Sequence, residues 1–290
     1  MLSPRSPPDQ ADVARHYDEL GFFYRHLWGD HLHHGVWSNS TNDSSAEEAT
    51  ARLLELAVAP LDIHSGQRLV DIGCGYGTDA RWIAETTGAQ VTGLTLSAHQ
   101  VEIARRAPAP GRGHLVIHHG DWLANEYPDH AFDAAIAIES LAHMPDQPAF
   151  FRQLGRTLAP AGRAAIACWN AAPNLSFLEA ALLRGICRVG RLPSLGTLDE
   201  FRALAVSAGM RVTARRDLTA QVAPTWQLIS RRALASLFTN PRFLLASIRC
   251  TLRRPAYALI LPAMILACNT GALRYALLWL ERPAAQVAPN

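Results

Sequence analysis

The residues best suited to chemistry lie in the segment 68–77, RLVDIGCGYG. An apolar run typical of a buried strand ends at Asp71 and breaks into a glycine-rich turn, and a segment that can form a helix follows. A strand, a tight glycine turn and a helix N-terminus together form a common cradle for nucleotide cofactors. At such a turn Gly73 and Gly75 allow close approach to the backbone, and Cys74 between them is small enough to pack closely. We therefore predict a cofactor site here.

The spacing of the glycines argues against a dinucleotide. Dinucleotide sites use G-x-G-x-x-G or -A, with an acidic residue about 20 residues later that binds the ribose. Here the pattern is G-x-G-x-G, Thr78 stands where the third small residue would fall, and residues 95–97 at the later distance are Thr-Leu-Ser. This combination disfavours NAD and FAD and fits a cofactor without a pyrophosphate, such as S-adenosylmethionine (SAM).

The elements that must position these residues alternate between two patterns. Segments of strand character cover residues 68–72, 90–94, 114–119, 132–138, 163–169, 210–218 and 272–280. Helical patterns lie between them, and a turn at residues 160–162 precedes the fifth segment. This alternation predicts an α/β fold, with a Rossmann-like, doubly wound and mostly parallel sheet of seven strands.

Three parts are predicted along the chain. Residues 1–45 form an N-terminal helical lid, whose first nine residues are disordered, and residues 46–170 form the Rossmann-like core that binds SAM. Residues 171–290 contain a helical cap insertion, further helices and the C-terminal strands that complete the sheet.

The predicted cofactor site collects the residues that follow the first four strands, because ligands bind at the carboxyl ends of parallel strands. Asp71 and the amides of the glycine turn can hold the amino-acid part of SAM. Thr95 and Gln100 can hydrogen-bond the ribose hydroxyls. Asp121 can accept from the adenine amino group, beside the flat face of Trp122. The full predicted set is Asp71, Gly73, Cys74, Gly75, Thr95, Leu96, Gln100, Gly120, Asp121, Trp122, Ile138 and Glu139.

These motifs resemble those of the class I SAM-dependent methyltransferases. The resemblance is carried by residues 70–77 (VDIGCGYG), residues 91–97 (VTGLTLS) with Gln100, and Phe132-Asp133. Residues 158–162 (LAPAG) are similar to the family turn L-x-P-G-G, with alanine in place of the first glycine. The resemblance covers most of the chain and implies SAM as the cofactor.

A narrower resemblance is carried by residues 28–37 (WGDHLHHGVW) and 139–146 (ESLAHMPD), and by residues 261–265 and 271–275. These are similar to gamma-tocopherol methyltransferases and to relatives that methylate sugars, alkaloids and terpenoids. The resemblance implies a small acceptor that is often hydrophobic. The sugar enzymes carry two adjacent histidines where this chain has Ala142 and His143, so a sugar acceptor is disfavoured.

Methyl transfer needs a base only where the acceptor loses a proton. The predicted catalytic residues are His34, Glu139, His143 and Tyr17, the last because it resembles a lid tyrosine that approaches the cofactor in related enzymes. The predicted substrate pocket comprises His33, Trp37, Trp169, Phe177 and Trp226, and we predict no metal.

The reaction class is left with alternatives. Carbon methylation of an aromatic or isoprenoid-bearing metabolite is the leading hypothesis, because late apolar segments favour an oily acceptor. Methylation of oxygen or nitrogen in a natural product is the alternative. A SAM-binding subunit without catalysis is a further hypothesis, and the intact glycine turn with Asp71 argues against it.

Composition restricts the partners and the compartment. The formal net charge is +2, which offers no bulk attraction for nucleic acid. Five arginines without neighbouring acids occur late in the chain, however, so a nucleic-acid methyltransferase stays an alternative; they are Arg242, Arg249, Arg253, Arg254 and Arg274. The chain has no lysine, which is typical of a GC-rich bacterial genome.

Cysteine usage and hydropathy indicate a cytoplasmic protein. The five cysteines are odd in number and include no C-x-x-C pair, which argues against a disulfide framework or a cysteine metal site. The most apolar run, residues 258–268, is shorter than the roughly 20 residues that span a bilayer. We therefore expect no stable membrane insertion, and a homo-oligomer is possible.

Overall fold

One seven-stranded sheet organises the chain in the computed structural model, which describes residues 1–37 and 45–284. The strands are β1 (Arg68–Ile72), β2 (Gln90–Thr95), β3 (His114–His119), β4 (Phe132–Ile138), β5 (Leu158–Ala171), β6 (Arg211–Asp217) and β7 (Leu273–Glu281). Their order is β3-β2-β1-β4-β5-β7-β6, and only β7 runs antiparallel to its neighbours. The predicted α/β class and the mostly parallel, doubly wound sheet are confirmed.

Helices cover the two faces of the sheet and one end of it. They are α1 (Gln10–Leu27), α2 (Ala46–Val58), α3 (Thr78–Thr87), α4 (Ala98–Arg106), α5 (Gln147–Thr157), α6 (Phe177–Val189), α7 (Leu198–Ser207), α8 (Thr219–Val222), α9 (Pro224–Thr239), α10 (Pro241–Arg253) and α11 (Ile260–Asn269). Capping boxes at Ser45, Ser176 and Thr197 start α2, α6 and α7. In each box the hydroxyl accepts from a first-turn amide while a glutamate accepts from the cap amide.

The core has two layers, one on each face of the sheet. Strand β4 shows the reason: Ala134, Ile136 and Ile138 point into one apolar cluster, and Ala135 and Ala137 into the other. A parallel strand covered on both faces reads as a continuous apolar run rather than an alternating one. This sandwich leaves the carboxyl edge of the parallel strands as the place where polar residues can collect.

Two local predictions were wrong. The turn predicted at residues 160–162 lies inside β5, where the pairing with β4 shifts between Phe132 and Ala134. Ala161 there has a φ of 62° and its amide donates to the carbonyl of Arg282 at 3.0 Å. Residues 1–9 are also not disordered throughout, because Leu2 exchanges two backbone hydrogen bonds with Leu195. In both cases the backbone is hydrogen-bonded to residues distant in the sequence, and a local pattern does not reveal such pairing.

Candidate active site

A cleft opens at the carboxyl ends of β1, β2 and β4, and α1 and residues 30–33 close it from above. The structure places thirteen of the predicted site residues on its walls: Tyr17, His33, Gly73, Cys74, Gly75, Thr95, Leu96, Gln100, Gly120, Trp122, Ile138, Glu139 and His143. These residues come from six separate segments of the chain. The sheet topology brings them together because the loops after parallel strands share one edge.

The glycine turn is shaped by close contact with the loop that follows β4. Gly73 has a φ of 82°, and a Cβ placed on it would lie 2.4 Å from the Cβ of Ser140. The amides of Gly73 and Cys74 both donate to the carbonyl of Leu94, at 2.8 and 3.0 Å. Gly73 is therefore required for steric reasons. The amides of Gly73 and Cys74 form hydrogen bonds within the fold.

Asp71 lies beneath this turn and is not part of the cleft wall. Its side chain is buried, and the Oδ2 atom has no hydrogen-bond partner among the described residues. Burial raises its pKa well above the usual value, repulsion from Asp79 adds to this, and His33 partly opposes it. A buried carboxylate oxygen with unmet capacity is costly, and a donor from a ligand or water would satisfy it. The unpaired oxygen of Asp71 fits a donor such as the ammonium group of SAM.

The predicted ribose and adenine contacts follow β2 and β3. The hydroxyl of Thr95 donates to Oε1 of Gln100 at 2.6 Å, and both side chains are buried at the cleft wall. Asp121 caps a short helical turn by accepting from the amide of Leu123 at 2.8 Å, and it lies outside the cleft wall. The indole N–H of Trp122 donates to the carbonyl of Phe150 at 3.2 Å, which holds this ring in the core.

Glu139 is the most constrained acidic residue of the cleft. It adopts the left-handed backbone conformation, with a φ of 57°, which non-glycine residues rarely occupy and which often marks functional sites. Its carboxylate accepts from the His34 amide at 2.7 Å, from His34 Nδ1 at 2.9 Å and from the Tyr275 hydroxyl at 3.0 Å. Burial raises the pKa of Glu139, but the attraction and hydrogen bonds of His34 exceed it, so the pKa lies below its usual value. The group is an ionised, buried carboxylate.

An aromatic box surrounds His34. The ring of His34 lies 4.8 Å from the ring centre of Trp169 and 4.5 Å from that of Trp226, and Trp169 meets Tyr275 edge to face at 4.9 Å. His34 Nε2 is buried and has no hydrogen-bond partner in the described part of the chain. The structure thus gathers His34, Trp169 and Trp226 behind Glu139 rather than on the open cleft wall.

His143 and Tyr17 face each other across the cleft, with Tyr17 Oη 2.9 Å from His143 Nε2. His143 Nδ1 lies 3.4 Å from the carbonyl of Arg191, which can only accept, so we assign the ring proton to Nδ1. Nε2 then accepts from the Tyr17 hydroxyl. Burial lowers the pKa of His143 to about 4, although the Arg191 carbonyl and Glu139 raise it. The ring is therefore neutral near pH 7 and can receive a proton at Nε2.

Residues 31–33 are also held by an ion pair with Asp79 that the sequence analysis missed. His31 Nδ1 lies 2.8 Å from Asp79 Oδ1, and His33 Nε2 lies 3.1 Å from Asp79 Oδ2. His33 Nδ1 faces the carbonyl of His34 at 2.8 Å, so both ring nitrogens of His33 face acceptors and the ring must be protonated. Burial lowers the pKa of His33, but Asp79 outweighs it and raises the pKa to about 9. These three side chains could also hold a metal ion, and the absence of a metal stays a prediction.

Two predicted pocket residues lie elsewhere. The indole N–H of Trp37 donates to the hydroxyl of Thr225 at 2.9 Å, and the residue is not on the cleft wall. Phe177 starts α6 and is 83% exposed, also away from the cleft. Aromatic side chains pack equally well in many places, so residue type alone did not locate them.

Tyr275 and Asp79 were missed for different reasons. Tyr275 contacts Glu139 from 136 residues away on an antiparallel strand, and no local pattern signals that contact. Asp79 stands in the first turn of α3, where an acidic residue is ordinary because it complements the helix dipole. For both residues, the side chains that they contact are brought together only when the chain folds.

Comparison with known proteins agrees with this geometry. Residues 69–162 match the model of a methyltransferase domain. The chain is 35% identical to 27-O-demethylrifamycin SV methyltransferase of Amycolatopsis mediterranei (strain S699), over 78% of this chain and 83% of that protein. It is 30% identical to the chloroplastic tocopherol O-methyltransferase of Arabidopsis thaliana, over 93% of this chain and 82% of the relative.

A solved structure shows the same fold. Geranyl diphosphate C-methyltransferase from Streptomyces coelicolor A3(2), determined with Mg²⁺, geranyl diphosphate and S-adenosyl-L-homocysteine, superposes with a TM-score of 0.70. The two chains are 20% identical, and the match covers 97% of this chain and 100% of the other. The extent of these similarities, together with the glycine turn at the carboxyl edge of the sheet, establishes that the chain belongs to the SAM-dependent methyltransferases.

Proposed function

We propose that this enzyme transfers the methyl group of SAM to a hydroxyl of a small hydrophobic natural product. The observation that carries the proposal is the neutral His143, whose Nε2 is directed at the cleft and accepts from Tyr17 at 2.9 Å. An acceptor hydroxyl is a poor nucleophile unless a base removes its proton. The two curated relatives described above, at 35% and 30% identity, are named as methyltransferases of oxygen, which supports an oxygen acceptor here.

The bound cofactor would supply a methyl group on a positively charged sulfur. The acceptor hydroxyl would take the place of the Tyr17 hydroxyl at His143 Nε2. As the acceptor oxygen takes the methyl group from the sulfur, with an O–CH₃ bond replacing the S–CH₃ bond, the hydroxyl proton would pass to His143 Nε2. The imidazolium then loses that proton to solvent, because burial keeps the pKa of His143 near 4. Atoms and charge balance with the methyl ether of the acceptor, the demethylated cofactor and one proton as products.

A hydrophobic acceptor agrees with the surroundings of this base. Apolar side chains line the cleft together with His143, among them Val13, Leu32 and Met144. Several sugar hydroxyls would find few partners there, and each unpaired buried polar group costs about 1–3 kcal/mol. An acceptor with one reactive hydroxyl on an apolar skeleton avoids that cost.

The proposal is tested with isotope-labelled SAM and a panel of hydrophobic phenols and macrocyclic alcohols, followed by NMR assignment of the new methyl. His143→Ala should lower kcat by about 100- to 10,000-fold while SAM binding is unchanged. His118→Ala is the matched control, since His118 also pairs with a tyrosine hydroxyl, that of Tyr127 at 2.9 Å, on an exposed surface. Unchanged kcat in His143→Ala, or a methyl found on carbon, would refute the proposal.

Carbon methylation is a second candidate because of the surroundings of Glu139. Methyl addition to an alkene or an electron-rich ring leaves positive charge on the acceptor. Glu139 is an ionised carboxylate on the cleft wall, held by the hydroxyl of Tyr275, and it is suited to stabilise that charge. Glu139→Gln should then reduce kcat far more than acceptor binding, His143→Ala should have little effect, and the new methyl should be bonded to carbon.

A further inference from the structure

Helix α10 exposes an apolar stripe to solvent. Leu244, Ile248 and Leu252 are four residues apart and therefore line one side of the helix, and Leu245 lies beside them. Their exposed fractions are 39% for Leu244, 54% for Leu245, 47% for Ile248 and 79% for Leu252. Contiguous exposed apolar side chains of this size usually mark a binding surface rather than a free one.

The opposite side of α10 attaches the helix to the enzyme. Phe243 is 3% exposed and packs with Leu27 of α1 and Ile229 of α9. Its ring meets that of Phe23 edge to face at 5.3 Å. The helix is thus fixed to the lid that carries Tyr17, while its stripe faces outward. An assembly contact on the stripe would leave the folded core unchanged.

Arginines border the stripe. Arg249 and Arg253 each follow a stripe residue by one position, which places them along one edge of it, and both are exposed together with Arg242. Residues 218–280 contain seven arginines and neither aspartate nor glutamate. Because the whole chain has a formal charge of +2, the remainder of the protein is net negative. Positive charge is therefore concentrated in the segment that also carries the exposed apolar stripe.

We infer that the α10 face, defined as Leu244, Leu245, Ile248 and Leu252 with Arg242, Arg249 and Arg253, docks the enzyme on an anionic lipid surface. An amphipathic helix with leucines on one side and arginines at its edge inserts its apolar side at the headgroup boundary and binds acidic lipids with its charges. Phe238 before α10 and Leu259 after it, exposed at 83% and 67%, extend the apolar character beyond the helix.

The bend of this segment agrees with lying on a bilayer rather than crossing it. Within residues 1–37 and 45–284, no single helix is long and apolar enough to cross a membrane. Segments Pro241–Arg253 and Pro255–Asn269 reach that length only together, and they are bent by 116°. The arginines between and beside them would have to enter hydrocarbon in a spanning arrangement, which is costly. At an interface the same arginines reach the headgroups.

Two other occupants fit less well. A two-fold contact with a second copy would bring Arg249 and Arg253 close to their own equivalents, with no acidic residue on this segment to compensate. Nucleic acid would pair with the arginines but would leave Ile248 and Leu252 without apolar partners. An anionic bilayer can bind both the apolar stripe and the arginines at its edge. The inference goes beyond methyl transfer and does not depend on which atom is methylated.

The test uses the full chain and sedimentation with two kinds of vesicle: neutral vesicles of phosphatidylcholine alone, and anionic vesicles of phosphatidylcholine and phosphatidylglycerol at about 3:1. We expect binding to the anionic vesicles that weakens as salt is raised, and much weaker binding to neutral ones. The double variant Arg249→Gln/Arg253→Gln should reduce partitioning about 25-fold at low salt. The double variant Ile248→Gln/Leu252→Gln should reduce it at least about tenfold.

Val206→Gln is the matched control, because Val206 is an apolar residue of α7 with 58% exposure on another part of the surface. It should bind vesicles as the parent protein does, and SAM binding should be equal in all variants. The inference is overturned if the parent chain ignores anionic vesicles, or if Ile248→Gln/Leu252→Gln and Val206→Gln bind equally. It is also overturned if sedimentation shows a dimer that the stripe variant dissociates, or if short duplex DNA binds this face and vesicles do not.

Discussion

Replacing Asp79 with asparagine should remove a pH-dependent part of the stability. The pKa of His33 is raised from 6.5 to about 9, chiefly because the attraction of Asp79 outweighs burial. For a group whose folded pKa is raised, the stabilisation is complete below the unfolded pKa and is lost as pH rises through the folded one. Linkage between 6.5 and 9 gives about 2.6 kcal/mol at pH 7 and about 0.4 kcal/mol at pH 9.

The titration of Asp79 itself does not change the expected pH dependence between pH 7 and 9. The pKa of Asp79 is depressed because its imidazole partners outweigh burial, so its contribution is present above about pH 4 and is lost only in strong acid. The two shifts describe one interaction and are not added. Between pH 7 and 9 the expected change in stability therefore comes from His33 alone, about 2 kcal/mol.

The measurement is urea unfolding of the parent protein and Asp79→Asn at pH 7, 8 and 9, with a reductant and EDTA. The free energy difference between the two proteins should narrow by about 2 kcal/mol over this range. Using the difference cancels the titration of cysteine thiols, which is common to both. Asp129→Asn, which breaks an exposed pair with Arg156, is the control and should cost less than about 1 kcal/mol with no trend. A constant or widening difference for Asp79→Asn would refute the reasoning.

Three further substitutions have definite expected outcomes. Gly73→Ala should abolish SAM binding in calorimetry, since its Cβ would lie 2.4 Å from Ser140 Cβ, whereas Gly66→Ala, also at positive φ but in open space, should bind normally. Ala161→Gly should raise the free energy of unfolding by about 0.5–1 kcal/mol by relieving a φ of 62°, and an unchanged value would contradict this. Tyr275→Phe should lower stability by about 1–2 kcal/mol, because Glu139 loses a buried donor at 3.0 Å, and unfolding at pH 7 measures it.

Periodic and local features of this protein were determined by the sequence alone. The alternation of apolar strands and helices predicted the α/β class, because each element must bury one or two faces against its neighbours. The run 70–77 predicted a cofactor turn for a similar reason, since left-handed glycines and a strand end are properties of neighbouring residues. The rule that ligands bind at the carboxyl edge then placed Thr95, Gln100 and Glu139 near one cleft.

The tertiary structure alone decided which side chains meet within that cleft. Glu139 binds His34 from 105 residues away and Tyr275 from 136 residues away, and Asp79 binds His33 from 46 residues away. Trp37 and Phe177 had the right residue type for a pocket, yet the fold placed both away from it. Local spacing determines which face of an element a residue occupies, but contacts between elements depend on packing that the whole chain settles together. Side-chain partners, and with them the pKa values that decide chemistry, therefore appear only once the chain is folded.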